Sequence, residues 1–186
     1  MPGVPDPPHA DPPHAVAHSP RLLLCPPTYR DEPPVRALRQ DSRVMHFLGG
    51  PLTDDAAEER FAQDLAHWQR HGYGKCVVTE RASGAFVGWG GLQLFEGEID
   101  LGYVIAPGWW GCGLATETAR ALLWYGFGHL HVPLVRAVVQ VRNLASQRVL
   151  HKAGMRYLHE RVLWGDRQRC YAVTAAQWES HTFGGA

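Results

Sequence analysis

The sequence predicts a single domain of the α/β (α+β) class, with a mixed central sheet of about seven strands and elements in the order β-αα-βββ-α-β-α-ββ. Three observations carry that expectation. Short apolar runs bounded by turn residues alternate with segments of helical period, the pattern of strands interleaved with helices. Three of the strand runs follow one another directly, as a meander does, and lead into a glycine-rich turn that opens a helix. The 186 residues, 45% hydrophobic and 19% charged, suffice for one buried core.

Residues 1–20 hold seven of the fourteen prolines and repeat Asp-Pro-Pro-His-Ala at 6–10 and 11–15. With little to bury, they are expected to form a disordered tail, whose histidines are poor evidence for a metal. The folded domain is expected over 21–182, followed by a short tail at 183–186. It opens with Leu22-Leu23-Leu24-Cys25 as a strand closed by two prolines. Asp31, Pro33 and Pro34 suit a helix start, and Val35, Leu38, Met45 and Phe47 supply apolar positions, so a helix over about 33–47 is expected. Thr53 ahead of four acids caps a second helix, whose Phe61, Leu65 and Trp68 recur on one face until Gly72. Strands over about 75–80, 85–94 and 98–105 make the meander. Leu114, Thr118, Leu122 and Tyr125 give the next helix. A strand at about 134–141, a short helix at 144–153 and strands at about 156–163 and 169–174 complete the order.

A net charge of zero leaves no surplus to hold nucleic acid phosphates. Cys25, Cys76, Cys112 and Cys170 form no C-x-x-C pair and read as reduced, buried thiols. No apolar run approaches the length of a membrane span and no apolar secretion signal opens the chain, so a cytoplasmic protein without membrane contact is expected.

The chemistry is concentrated in Pro107-Gly108-Trp109-Trp110-Gly111-Cys112-Gly113-Leu114-Ala115-Thr116-Glu117. Small residues there clear the way to backbone N–H groups at a helix start, which makes an anion cradle. It is not a P-loop, because no Lys-Ser or Lys-Thr follows, and it lacks the three spaced glycines of a dinucleotide site. By itself it is equally a tight turn that reverses the chain. A second segment, Asn143-Leu144-Ala145-Ser146-Gln147-Arg148-Val149-Leu150-His151-Lys152-Ala153-Gly154-Met155, decides between the two.

Together the two segments resemble the GNAT superfamily of N-acetyltransferases, within it the ribosomal-protein-alanine N-acetyltransferase-like branch, where P-x-x-W-G-x-G-x-A-T-E precedes N-x-x-S-x-x-V/L-x-x-K-x-G-F. Arg21-Leu22-Leu23-Leu24, Val44-Met45-His46-Phe47-Leu48-Gly49-Gly50, Val87-Gly88 before Gly91-Leu92, and Asp100-Leu101-Gly102-Tyr103 fall in the same order, so the resemblance spans about residues 21–178. It implies a GNAT domain with splayed strands at a cofactor cleft and acetyl-CoA as cosubstrate, with no metal. The pyrophosphate would lie on Gly111, Cys112, Gly113, Leu114, Ala115 and Thr116, the pantetheine beside Val104 and Ile105, flanked by Asn143 and Ser146.

The implied reaction is transfer of the acetyl group to a primary amine, a protein N-terminal α-amine or a small molecule, by direct attack in a ternary complex. Orientation and a backbone N–H for the oxyanion carry most of such catalysis. A lysine amine is roughly one part in a thousand neutral at pH 7.4 and an α-amine about a quarter, so the base required depends on the acceptor. Asp100 stands where the branch usually has Glu and is the candidate base; the alternative is a capped or solvated carboxylate. Against the wider superfamily, Trp110 stands where Gln or Arg is usual and Leu150 where a tyrosine acid is frequent, both departures being common in the branch; Ser146 is then the nearest polar candidate for the acid role. The missing tyrosine also motivates a rival reading, a catalytically weak acetyl-CoA-binding sensor or partner-binding module. Cys112 reads as a bystander, His67 and His71 as surface residues, and Arg120, Arg148 and Lys152 as helix charges near the expected phosphates. Trp89 and Trp164 are expected near the acceptor groove, and a monomer or homodimer is expected.

Overall fold

The computed structural model describes residues 15–183. Eight strands form one sheet in the order β1-β2-β3-β4-β5-β6-β8-β7: β1 Ala17–His18, β2 Leu22–Cys25, β3 Lys75–Glu80, β4 Phe86–Phe95, β5 Glu98–Ile105, β6 Leu134–Gln140, β7 Arg156–Leu163 and β8 Asp166–Thr174. Six helices accompany them: α1 Glu32–Gln40, α2 Ser42–Met45, α3 Asp54–His71, α4 Leu114–Gly128, α5 Leu144–Lys152 and α6 Ala175–Phe183. The predicted α/β class and element order therefore hold, with one strand more than the seven expected.

Four differences have local causes. The sheet begins at Ala17, ahead of the expected boundary at Arg21: Ala17 pairs with Leu24 and is buried, so this end of the tail is part of the fold. Residues 1–14 of the expected tail and residues 184–186 lie outside the described residues. The helix expected over 33–47 breaks at Asp41, which is extended (φ −74°, ψ 113°) and turns its carboxylate to accept the Arg43 N–H at 2.9 Å. Asp41 thereby starts α2 as an N-cap instead of continuing α1. Strand β8 starts at Asp166, since the Gly165 turn lets Leu163 pair with Asp166 at once. The sequence reading contained no helix after it; α6 follows directly on β8, with Thr174 accepting the Gln177 N–H at 3.3 Å.

The main core lies between α4 and the sheet, where Leu22, Leu24, Val78, Leu92, Leu122 and Leu123 are fully buried. Each contributes about 1.5–3 kcal/mol by leaving water. The other sheet face carries a smaller cluster of Val35, Phe61 and Val77, with Leu65, Phe86 and Trp89 packed on it, under α1 and α3. Glycine is required at position 88 by close approach, because a Cβ there would stand 2.0 Å from the Val104 carbonyl oxygen. That contact lets β4 run flush against β5.

Candidate active site

Strand β5 pairs with β4 along its whole length, from Glu98 to Ile105, and β6 pairs with β8 from Leu134 to Gln140. Between β5 and β6, which run parallel, only Asp100 and Arg136 are in register. Each strand is committed to its other neighbour, so the sheet opens into two wings beyond that pair. The resulting cleft is the splay that the resemblance implied.

The glycine turn closes one end of this cleft. Gly111 (φ 78°) and Gly113 (φ 80°) are both left-handed, a conformation costly for residues with a Cβ. Nothing stands within 4 Å of a Cβ at Gly111, so the backbone there faces open space. The first amides of α4 to close on the chain are those of Thr116 and Glu117, both on the Gly113 carbonyl (3.1 and 3.2 Å). Those ahead of them remain at the positive end of the helix, available to an anion. Two indoles pin the turn to the sheet: Trp109 Nε1 donates to the Phe86 carbonyl at 3.0 Å and Trp110 Nε1 to the Ile105 carbonyl at 2.6 Å. Trp110, which stands where the wider superfamily usually has Gln or Arg, is thus a backbone anchor. Cys112 is exposed within the turn and Cys25 is half-buried, so only Cys76 and Cys170 fit the expectation of buried thiols.

Helix α5 borders the cleft from the same side. Asn143 is its N-cap, accepting the Ser146 N–H at 3.0 Å through its side-chain oxygen. The Ser146 hydroxyl lies 2.8 Å from the Tyr103 hydroxyl. Burial pushes the Tyr103 phenol up to about 12, with the Ser146 hydrogen bond opposing. It therefore stays protonated near neutral pH, and either hydroxyl of the pair can donate to the other. Sequence reasoning used Tyr103 as a landmark without a role; its parity with Leu101 was the signal, since both sit on the face turned to the α4 core. Leu150, at the position of the frequent tyrosine acid, is buried in that core. Arg120 donates to the Lys152 carbonyl at 2.7 Å, joining α4 to the end of α5.

Asp100, Gly102 and Val104 alternate to the opposite face of β5. Asp100 and Ser146 are therefore not brought together: they border the cleft from opposite sides of the sheet. Among the described residues, Asp100 Oδ1 is buried without a hydrogen-bond partner. Burial drives the Asp100 carboxyl up to about 7, with Arg161 and then Lys75 opposing. Beside it is a cavity of about 20 Å³ lined by Asp100, Arg136, His159, Arg161 and Cys170 among others. That is room for a single water. A Cβ added at Gly102 would meet nothing within 4 Å, so this face of the sheet is uncovered next to Asp100.

Trp89 and Lys75 stand on the same face. Lys75 Nζ lies 4.7 Å from the centre of the Trp89 ring and 3.4 Å from Asp64 Oδ1, and Asp64 is also paired with the buried Arg39. Burial pushes the Lys75 ammonium down to about 8, with the Asp64 charge opposing. Trp164 is 72% exposed at the β7–β8 turn, its ring 5.5 Å from that of Phe95. Among the described residues no three His, Cys, Asp or Glu side chains are grouped so as to hold a metal ion, and no helix is long and apolar enough to cross a membrane.

Residues 21–156 match the family described as acetyltransferase (GNAT) domain. Protein YkkB of Bacillus subtilis (strain 168), described as uncharacterized, is 32% identical over 129 residues, covering 64% of this chain and 72% of its own length. YnaD of the same organism, described as an uncharacterized N-acetyltransferase, is 29% identical over 139 residues, covering 73% of this chain and 79% of its own. Among solved structures, an acetyltransferase from Agrobacterium tumefaciens str. C58 is 27% identical with a TM-score of 0.75, covering 84% of this chain and 92% of its own.

Proposed function

The chain belongs to the GNAT acetyltransferase family, and from that premise we propose that it transfers the acetyl group of acetyl-CoA to a primary amine by direct attack in a ternary complex. The observation that carries this reading is the opening of β5 from β6 at Asp100 and Arg136, with the glycine turn at one end and, at the vertex, a carboxyl whose buried Oδ1 has no hydrogen-bond partner. The residues fit acetyl-CoA: left-handed Gly111 and Gly113 clear the amides up to Ala115 for a pyrophosphate, the Thr116 N–H being closed on the Gly113 carbonyl, and Cys112 Sγ donates to the Trp110 carbonyl at 3.6 Å. When bound, acetyl-CoA supplies an activated acyl group with a thiolate leaving group.

The chain's own residues divide the remaining work between the two faces of the sheet. Val104 and Ile105 form the edge along which the pantetheine arm lies, although the Ile105 carbonyl is already engaged by Trp110. Asn143 spends its side-chain oxygen on the cap, which leaves its NH2 for the arm. On the acceptor face, Asp100 takes the proton of the attacking amine, directly or through one water. A carboxyl titrating near 7 suits that role, because it is substantially ionised at neutral pH and still basic enough to accept a proton. On the thioester face, Ser146 and Tyr103 offer a hydroxyl pair to the departing sulfur, and Ser146 is the one closer to the family position. Unpaired amides on the open edge of β5 stabilise the oxyanion. The acceptor is a protein N-terminal α-amine or a small-molecule amine, and four free thiols fit a reducing compartment such as the cytoplasm.

Release of free thiol from acetyl-CoA across a panel of amines tests the proposal. Amine-dependent release that collapses in Asp100→Asn is the expected outcome. Tight acetyl-CoA binding with no release for any amine would favour the sensor reading, which the burial of Leu150 motivates.

A further inference from the structure

The glycine turn is held from its other side by the ion pair of Arg21 and Glu117. Glu117, in the first turn of α4, uses both carboxylate oxygens on the chain around Arg21, 96 to 98 residues away. Its Oε1 accepts from the Ser19 hydroxyl at 2.5 Å and from the Arg21 backbone N–H at 3.0 Å. Its Oε2 accepts from Arg21 Nε at 2.8 Å and pairs with Nη2 at 2.6 Å. Arg21 Nη1 continues to the Cys112 carbonyl at 3.1 Å, inside the turn itself, and a Cβ on Gly113 would stand 3.7 Å from Nη2. The platform is rigid, because Ser19 and Leu22 close the β1–β2 hairpin on each other, Ser19 N–H to the Leu22 carbonyl at 2.9 Å and Leu22 N–H to the Ser19 hydroxyl at 3.0 Å.

We propose that Ser19, Arg21 and Glu117 form a clamp that presets the glycine turn to receive the pyrophosphate of acetyl-CoA, with Arg21 and Glu117 as positioning residues. The proposal rests on the acetyl-CoA reading. Its second element is electrostatic. A carboxylate in the first turn of α4 would repel the very anion that the amides attract, unless a cation neutralises it. Arg21 both neutralises Glu117 and ties down the Cys112 carbonyl. Removing Arg21 therefore does two kinds of damage, whereas removing the Glu117 charge does one.

Binding of acetyl-CoA and of S-acetylpantetheine, which lacks the pyrophosphate, separates these effects from general damage to the fold. Arg21→Met is expected to weaken acetyl-CoA about tenfold, the scale of one charge-assisted hydrogen bond after discounting for exposure, and to leave S-acetylpantetheine unchanged. Adding Glu117→Gln to Arg21→Met should recover part of that loss, because the uncompensated carboxylate disappears. Glu117→Gln alone, isosteric and gentler on folding, should cost about threefold, less than one charge-assisted contact at an exposed site, again only for acetyl-CoA. Equal losses for both donors, or no loss for either, would overturn the clamp. A wild-type protein that binds acetyl-CoA no better than S-acetylpantetheine overturns the acetyl-CoA reading as well, whereas normal discrimination in wild type and variants alike overturns the clamp alone.

Discussion

The two sides of the cleft are built by different means. The proposed donor side, from Trp109 to Thr116, is one continuous segment whose chemistry is backbone: two left-handed glycines and a helix start. The proposed acceptor side draws Arg39, Asp64, Lys75, Trp89 and Asp100 from α1, α3, β3, β4 and β5, and its chemistry is that of buried and half-buried side chains. An amide cradle recognises any diphosphate presented to it, so it suits a cosubstrate shared across a family. Buried ionisable groups respond to every neighbour, which suits the half of the reaction that differs from one family member to the next.

Asp100→Asn should produce the largest separation of the two sides. The loss of a general base is expected to lower kcat on the order of a hundredfold or more while acetyl-CoA affinity stays unchanged. In the wild-type enzyme kcat/KM should rise with pH through about 7 as Asp100 ionises, and this limb should vanish in the variant. The same titration predicts an opposite effect on stability. A carboxyl whose folded pKa is raised favours folding while protonated, and that contribution is lost as pH rises from the unfolded value of about 4 through about 7. Asp100→Asn should therefore melt higher than wild type at pH 8, by calorimetry.

Gly113→Val strikes the donor side alone. Forcing a β-branched residue to φ 80° costs about 1–3 kcal/mol, and acetyl-CoA should bind about tenfold to a hundredfold more weakly by titration calorimetry. Equal damage to KM for the amine would blur the division. Asn143→Ala, which removes the α5 cap, should cost about 0.5–2 kcal/mol in stability and weaken acetyl-CoA by up to about tenfold. Lys75→Met is the most delicate test, because it removes a charge that lowers Asp100: the acidic limb of the rate profile should move to higher pH with little change in acetyl-CoA affinity. A limb that stays in place would show that Asp100 titrates independently of the Lys75 and Asp64 pair.

Much of this division was readable in advance on one side only. The turn at 107–117 announces itself through glycine and proline, residues chosen for local backbone geometry, whereas the capping role of Asn143 emerged only with the structure. The break at Asp41 was missed because the helical apolar pattern continues across it, and only the cap on Arg43 shows where α1 stops. Strand β1 was missed because a two-residue strand in a proline-rich stretch has no period of its own; it exists through pairing with Leu23 and Leu24. Glu117 carried no signal beyond its place in a motif and Tyr103 none beyond its parity with Leu101, since their partners Arg21 and Ser146 lie 96 and 43 residues away.

What the sequence by itself determined, then, is the class of fold, the glycine turn, the short helix at 144–153 and the resemblance to an acetyltransferase family. All of these depend on torsion angles, turn chemistry and periodicity within a few residues. Only the tertiary structure decided that Asp100 buries an Oδ1 without a hydrogen-bond partner at the vertex of the splay, that Ser146 meets Tyr103 on the other face, and that Arg21 reaches back to hold the turn. Those outcomes depend on burial and on contacts between distant segments, and a carboxylate at the end of a strand reads the same in sequence whether water or a closed sheet surrounds it.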